Sequence, residues 1–237
     1  MEAYVFYSHF DYSDIWPVMF GQSEKYLKGK KKYLITNESH DNVSDDWVVI
    51  NYDDKKPYQQ RVYESLEKVK EDVIIFHHED MFLMNEPKWE TMDKLVNLVS
   101  SDKITLIKLI KASYDSGFHN EFDKHIFYNP KNLLFAIQPT IIKKENLIKI
   151  YKHTNGNNIW EFEKNSNSLV EFLGYLSCYY HEGEEKKRGL FHWDSLVYPY
   201  VATAVVKGEW DYQSYPKILS QILIEYEIDP NKRGKNA

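Results

Sequence analysis

The chain has 237 residues, 43% of them hydrophobic and 16% aromatic, which is enough apolar material for a substantial core and too much for a disordered chain. Its formal net charge is −6, and its basic residues fall in short runs such as Lys30, Lys31, Lys32 and Lys186, Lys187, Arg188, which argues against a nucleic-acid partner that needs a clustered basic surface. Cys178 is the single cysteine, so an intrachain disulfide and a cysteine-based zinc site are excluded, and no run approaches the roughly 18 apolar residues of a membrane span. The chain opens Met-Glu-Ala-Tyr-Val-Phe-Tyr, without a basic segment followed by a long apolar run, so a reducing, cytoplasmic location is expected.

Short apolar runs alternate with stretches of helical period, the pattern of a sheet covered by helices. Strands are expected over 3–8, 33–36, 48–51, 73–77, 105–110 and 133–137. Val62, Leu66 and Val69 form one helical stripe and Trp89, Met92, Val96 and Val99 a second. Further helices are expected over 144–152, 168–179 and 215–226. The fold class is therefore α/β, an open, mixed, mostly parallel sheet flanked by helices. No Pro- or Gly-rich linker divides the chain, so one domain is expected over 1–230, with 231–237 as a polar tail.

The segment Val73-Ile74-Ile75-Phe76-His77-His78-Glu79-Asp80 runs a buried strand straight into adjacent carboxylates. Ligands of open α/β sheets bind beyond the carboxyl ends of strands, so acids there face the crevice. Glu79 and Asp80 either hold Mn²⁺ or Mg²⁺ on the phosphates of a nucleoside diphosphate, because such ions prefer oxygen ligands, or cap the next turn.

A second pattern joins Phe135-Ala136-Ile137-Gln138-Pro139-Thr140 to Asn158-Ile159-Trp160-Glu161-Phe162-Glu163. Together with the first strand, His78-Glu79-Asp80 and Tyr198-Pro199-Tyr200, this pairing resembles small glycosyltransferases of the GT-A type from viral and bacterial glycan-building systems. The resemblance implies a GT-A-like fold and a sugar site lined by Gln138. It also implies a carboxylate near the second motif as the base of an inverting transfer. Glu163 is the first choice for that base and Glu161 the second, since an extended segment would turn both to one side, away from Trp160 and Phe162. Trp160, Trp193 and Asp194 are expected at the sugar and acceptor pockets. By the same analogy His192 joins the metal and Lys207 the phosphates. In this architecture a nucleobase lies after the first strand, so Tyr7, His9 and Asp11 are expected there. Arg61 opens a helix from which it reaches either the diphosphate or Glu64 and Glu67 on its own helix.

The chain departs from the family's usual metal signature, Asp-any-Asp, by offering His78-Glu79-Asp80. It lacks the glycine pattern of dinucleotide oxidoreductases, the phosphate loop of ATPases and the Gly-x-Ser-x-Gly elbow of serine hydrolases. A nucleotidyltransferase would need a Gly-rich loop with Lys or Arg after the first strand, which is also missing. The expected function is transfer of a sugar from a nucleoside-diphosphate sugar to a glycan hydroxyl, metal-assisted and inverting. The alternative is a non-catalytic carbohydrate- or partner-binding domain on the same scaffold.

Overall fold

The computed structural model describes residues 2–38, 43–111, 122–156, 158–183, 187–188 and 192–236, with side chains at all of these except 187, 188 and 192. In chain order the regular elements are β1 (Glu2–Tyr7), α1 (Trp16–Tyr26), β2 (Lys31–Thr36), β3 (Trp47–Asn51), α2 (Tyr58–Leu66), β4 (Val73–His78), α3 (Trp89–Ser100), β5 (Leu106–Lys108) and β6 (Ile126–Tyr128). They continue with β7 (Thr140–Lys143), α4 (Lys144–His153), α5 (Ile159–Phe172), β8 (Ser177–Tyr180), β9 (Lys187–Arg188) and β10 (His192–Trp193). The last are β11 (Val205–Val206), β12 (Glu209–Asp211), α6 (Pro216–Glu225) and β13 (Lys235–Asn236).

Eight strands form one sheet in the order β3-β2-β1-β4-β7-β5-β8-β6. Neighbouring pairs are parallel from β3 to β4, whereas β7 runs against both β4 and β5, and β6 against β8. This is the expected class, an open, mixed and mostly parallel sheet flanked by helices. The central strands are apolar runs because both of their faces are covered: Ala3 through Tyr7 are all buried, as are Val73 through His77. Side chains alternate across the sheet. On one face Phe76 and His78 meet Tyr151 of α4 and Tyr58 of α2, while on the other His77 stacks on Phe6 and Tyr198 packs beside it.

The strands expected in the first half and the helices over 144–152 and 215–226 are present within a few residues. Four expectations are corrected. The segment from Trp160 to Glu163 is not extended but forms the first turns of α5. Asn158 is its N-cap, its side chain accepting the Glu161 N–H at 2.9 Å, and Phe162, Ser166 and Val170 then follow at helical spacing toward the core. The helix expected over 168–179 therefore begins earlier, ends at Phe172 and gives way to β8. The strand expected over 133–137 is irregular, and β7 starts at Thr140. Pro139 has no N–H to donate, so a strand hydrogen-bonded on both sides begins only after it. Residues 231–236, expected as a tail, are tied down: β13 pairs with β12, and Arg233 forms an ion pair with Asp14.

Gly156 lies against the first turn of α5, where an added Cβ would sit 2.5 Å from the Phe162 backbone nitrogen and 2.7 Å from its Cα. Backbone does not yield as a side-chain tip does, so Gly156→Ala is expected to cost about 1–3 kcal/mol by overpacking. Thermal unfolding of the variant tests this, and an unchanged Tm would show that α5 tolerates the shift.

Candidate active site at the ends of the central strands

The chain lays β2 and β3 on one side of β1 and then β4 on the other, which makes the β1/β4 pair a topological switch point. The register places Tyr7 beside His78, so that Ser8 and Glu79 leave the sheet next to each other. Ser8 is held there by three contacts. Its N–H donates to Ile35 O at 2.9 Å, its hydroxyl accepts from Trp16 Nε1 at 2.7 Å and its carbonyl accepts from the Tyr52 hydroxyl at 3.0 Å.

Glu79 is buried, with 7% of its surface exposed, and Asp80 is half-buried. Burial first, and then the charge of Asp80, push the Glu79 carboxyl up to about 8. Burial pushes Asp80 up to about 6, against the N–H groups of Val205 and Ala204 and the charge of Arg233. Val205 N–H reaches Asp80 Oδ2 at 3.4 Å, and Ala204 N–H donates to the Asp80 carbonyl at 3.1 Å. No Lys, Arg or His forms an ion pair with either acid among the described residues. Arg233 is the cation whose charge reaches both, but it is engaged elsewhere: Nε lies 2.9 Å from Asp14 Oδ2, Nη1 donates to Gly208 O at 3.3 Å, and the guanidinium stands 4.9 Å from the Tyr12 ring centre.

Tyr7, His9, Asp11 and Arg61 converge on one side of this point. The Tyr7 ring stacks on Tyr52 at 5.4 Å with 7° between planes, and the Arg61 guanidinium stands 5.5 Å from the Tyr52 ring centre. Arg61 pairs with Asp54 at 2.7 Å, and His9 Nε2 lies 3.3 Å from the same carboxylate. His9 Nδ1 accepts the Asp11 N–H at 3.1 Å. Sequence reasoning missed Tyr52 and Asp54, although they follow the third strand as Ser8 and Glu79 follow theirs, and that placement was a usable signal. It also missed Arg233, for which no local pattern existed.

Glu163 Oε1 accepts the Ile137 N–H at 2.6 Å, and burial raises its carboxyl while that N–H and Lys108 lower it. Lys108 is itself buried, donates to Leu133 O at 2.7 Å and is pushed down to about 7 by desolvation. The Tyr58 hydroxyl stands 3.2 Å from both His78 Nε2 and the Tyr151 hydroxyl, and Tyr151 stacks on Phe162 next to Glu163. Among the described residues no hydrogen bond or ion pair links Glu163 to Glu79 or Asp80. Gln138 is tied to the acid side, since its Oε1 accepts the Tyr200 hydroxyl at 2.9 Å and Tyr200 bridges Leu83.

The remaining expected residues are more scattered. Glu161 lies in the first turn of α5, and helical geometry turns it away from Glu163. Trp160 is 74% exposed. Trp193 is buried with Lys111 Nζ 5.1 Å from its ring centre, and Asp194 lines a separate cavity. Lys207 is exposed on the β11–β12 turn at φ 53°. The His192 side chain, expected as a metal ligand, lies outside the described residues. Two cavities, of about 500 and 380 Å³, lie away from the acids, one beside α3 and β6 and the other between α1 and α6. No group of three or more His, Cys, Asp or Glu that could hold a metal occurs among the described residues. The described residues thus offer at this point one acid pair, Glu79 and Asp80, without a third ligand of that kind beside it.

Fold and site together define an open α/β protein with an acid pair at its switch point. No family model and no curated protein matches the chain. Among solved structures it is similar to the bifunctional IspDF from Campylobacter jejuni, with 15% identity and a TM-score of 0.47, covering 83% of this chain and 52% of that one. It is also similar to residues 1–349 of S. aureus TarS, with 12% identity and a TM-score of 0.49, covering 94% and 64%. A third likeness is to 4-diphosphocytidyl-2C-methyl-D-erythritolsynthase from Anaerococcus prevotii, with 10% identity and a TM-score of 0.46, covering 76% and 85%. The chain spans between half and two thirds of the length of the first two. Likenesses this distant carry no argument about its activity.

The acid pair makes stability depend on pH. Folded Glu79 keeps its proton to about pH 8, whereas an unfolded glutamate releases it near 4.5. The native state therefore binds more protons in that window, and stability is expected to fall as pH rises through it, by at most ~1.4 kcal/mol per pH unit. Urea unfolding between pH 5 and 8 should show this fall in the wild type and a flatter profile above pH 6 in Glu79→Gln. A wild-type profile as flat as the variant's would contradict the assignment.

Proposed function

We propose that the crevice beyond β1 and β4 binds a nucleoside-diphosphate sugar and that the chain transfers the sugar to a glycan hydroxyl with inversion. One observation supports this reading: among the described residues, two adjacent carboxylates, one buried and one half-buried, stand at a switch point without an ion pair. Burial raises the proton affinity of both, and a divalent cation bound there would take the place of the retained proton. Asp80 and Glu79 would hold Mn²⁺ or Mg²⁺, which supplies charge stabilisation at the departing diphosphate oxygen. Tyr7 with Tyr52 offers an aromatic platform for the base, His9 and Asp11 polar groups for the ribose, and Arg61 a cation for the phosphates. Gln138, whose Oε1 accepts the Tyr200 hydroxyl on the acid side, would shape the sugar side.

Glu163 is our candidate for the base. Its Oε1 is anchored on Ile137 N–H, and burial raises its proton affinity above that of an ordinary glutamate. In the step proposed, the acceptor O–H bond breaks, its proton passes to Glu163, the oxygen bonds to the anomeric carbon and the bond from that carbon to the diphosphate breaks.

The same anchoring favours one other reading, a carbohydrate-binding domain without turnover in which Glu163 only fastens the segment before β7. Thermal shift and turnover separate the two. With Mn²⁺ and a nucleoside diphosphate at 100 times its Kd, stabilisation of about 2.7 kcal/mol is expected, a Tm rise of several degrees. Asp80→Asn should remove most of that rise, and a chain that responds to none of UDP, GDP, CDP or dTDP would end the nucleotide reading. Glu163→Gln, which keeps an oxygen for Ile137 N–H, should lower kcat at least 100-fold with nucleotide affinity unchanged. Full activity in that variant would assign Glu163 to the fold alone.

A further inference from the structure

Lys108 is the last residue of β5 and only 1% exposed. The register sets it opposite Thr140 of β7, and the same Thr140 lies opposite Phe76 of β4. Residues paired in this way share one face of the sheet. Lys108 therefore enters the layer where Phe76 meets Tyr151 of α4 and Tyr151 stacks on Phe162 of α5, the helix that carries Glu163. A lysine is rarely buried to this degree unless it is paired.

The stretch 133–137 before β7 is fastened by side chains rather than by a ladder. Lys108 Nζ donates to Leu133 O at 2.7 Å, the Ser177 hydroxyl donates to Leu134 O, Asn167 holds the Phe135 N–H and carbonyl, and Glu163 Oε1 accepts the Ile137 N–H at 2.6 Å. Lys108 and Glu163 thus grip the two ends of one stretch, one as a cation and the other as an anion. Desolvation brings Lys108 down to about 7 while the charge of Glu163 opposes it. Burial raises Glu163, and the Ile137 N–H and the charge of Lys108 oppose that. The other titratable groups in this layer are the Tyr58 and Tyr151 hydroxyls, both raised by burial, and His78, pushed down to about 4, so all three are uncharged at neutral pH. Tyr179 of β8 stands in register beside Lys108, and Lys111 lies with its Nζ 5.1 Å from the Trp193 ring centre.

We propose that Lys108 is the positioning residue of Glu163: anchored at Leu133, its ammonium keeps Glu163 a carboxylate, ready to accept a proton while it is bound to the Ile137 N–H. The inference rests on the transferase reading above, in which that carboxylate takes the proton of the acceptor hydroxyl. Lys108 is buried and acts through Glu163. Without the cation, Glu163 keeps its own proton to higher pH and cannot accept another.

The test reads titration midpoints by NMR on the full chain, isotope-labelled at glutamate Cδ and lysine Cε, with the two signals assigned by their loss in Glu163→Gln and Lys108→Met. Glu163→Gln, which keeps an oxygen for the Ile137 N–H, is expected to lower the Lys108 midpoint by about 0.5 pH unit or more. Lys108→Met is expected to raise the Glu163 midpoint by a like amount, because such coupling is reciprocal. A Lys108 midpoint unmoved by Glu163→Gln overturns the proposal, and that measurement stands whether or not Lys108→Met folds. In turnover, Lys108→Met should move the acid limb of kcat/KM to higher pH, with the thermal shift on adding nucleoside diphosphate and Mn²⁺ preserved. An equal loss at every pH, with the limb in place, is what a merely structural lysine would give and overturns the proposal too. The midpoints need no turnover, so a chain that shows both shifts yet transfers no sugar loses the transferase reading and keeps the coupling.

Discussion

The parallel pairing of β1 with β4 is the constraint on which the rest of the molecule depends. Six matched positions, from Glu2 with Val73 to Tyr7 with His78, make both strands end at the same height. Ligands of open α/β sheets bind where neighbouring strands end and their chains turn apart, and the acids stand at such a point. Because both strands are covered on both faces, Ser8 and Glu79, the first residues beyond them, are buried as well. The acids at 79 and 80 inherit that shielding, which is why their proton affinities rise. The same two residues at the end of an edge strand would be ordinary solvated carboxylates.

A second consequence follows from β7, which runs against its neighbours between β4 and β5. The segment leading to it has to cross the mouth of the sheet without ladder partners of its own, and buried backbone groups need partners. α5 provides them through residues one turn apart. Glu163 accepts the Ile137 N–H, while Asn167 accepts the Phe135 N–H at 3.1 Å and donates to the Phe135 carbonyl at 3.2 Å. Glu163 is therefore a fastening of the site wall before it is anything else. Its helical setting explains why Trp160 and Glu161 point elsewhere, although in the sequence they are its near neighbours.

The C-terminal segment illustrates a different dependence. Arg233 closes on Asp14, covers Tyr12 and lends positive charge to both acids, while Lys235–Asn236 adds a strand beside Glu209–Asp211. The end of the chain and the loop after β1 thus form one wall. The β11–β12 hairpin belongs to it too, since Val205 donates to Asp80 and Gly208 accepts from Arg233. Charge that looks like a solvated tail when written in a line becomes the nearest compensation for a buried acid pair.

Hydrophobic runs and their periods were enough to place most strands and helices, because burial on one face or both is written into neighbouring residues. The acids after the fourth strand were legible for the same reason, as was the gathering of Tyr7, His9, Asp11 and Arg61 beyond the sheet. The tertiary structure alone decided that β7 reverses direction, that α5 begins at Ile159 rather than after Glu163, and that Arg233 returns to Asp14. Each of those outcomes rests on contacts between residues far apart in the chain or on a cap outweighing an aromatic pattern. Such competition is settled by packing and by the demand that every buried polar group find a partner, and neither can be read from adjacent residues.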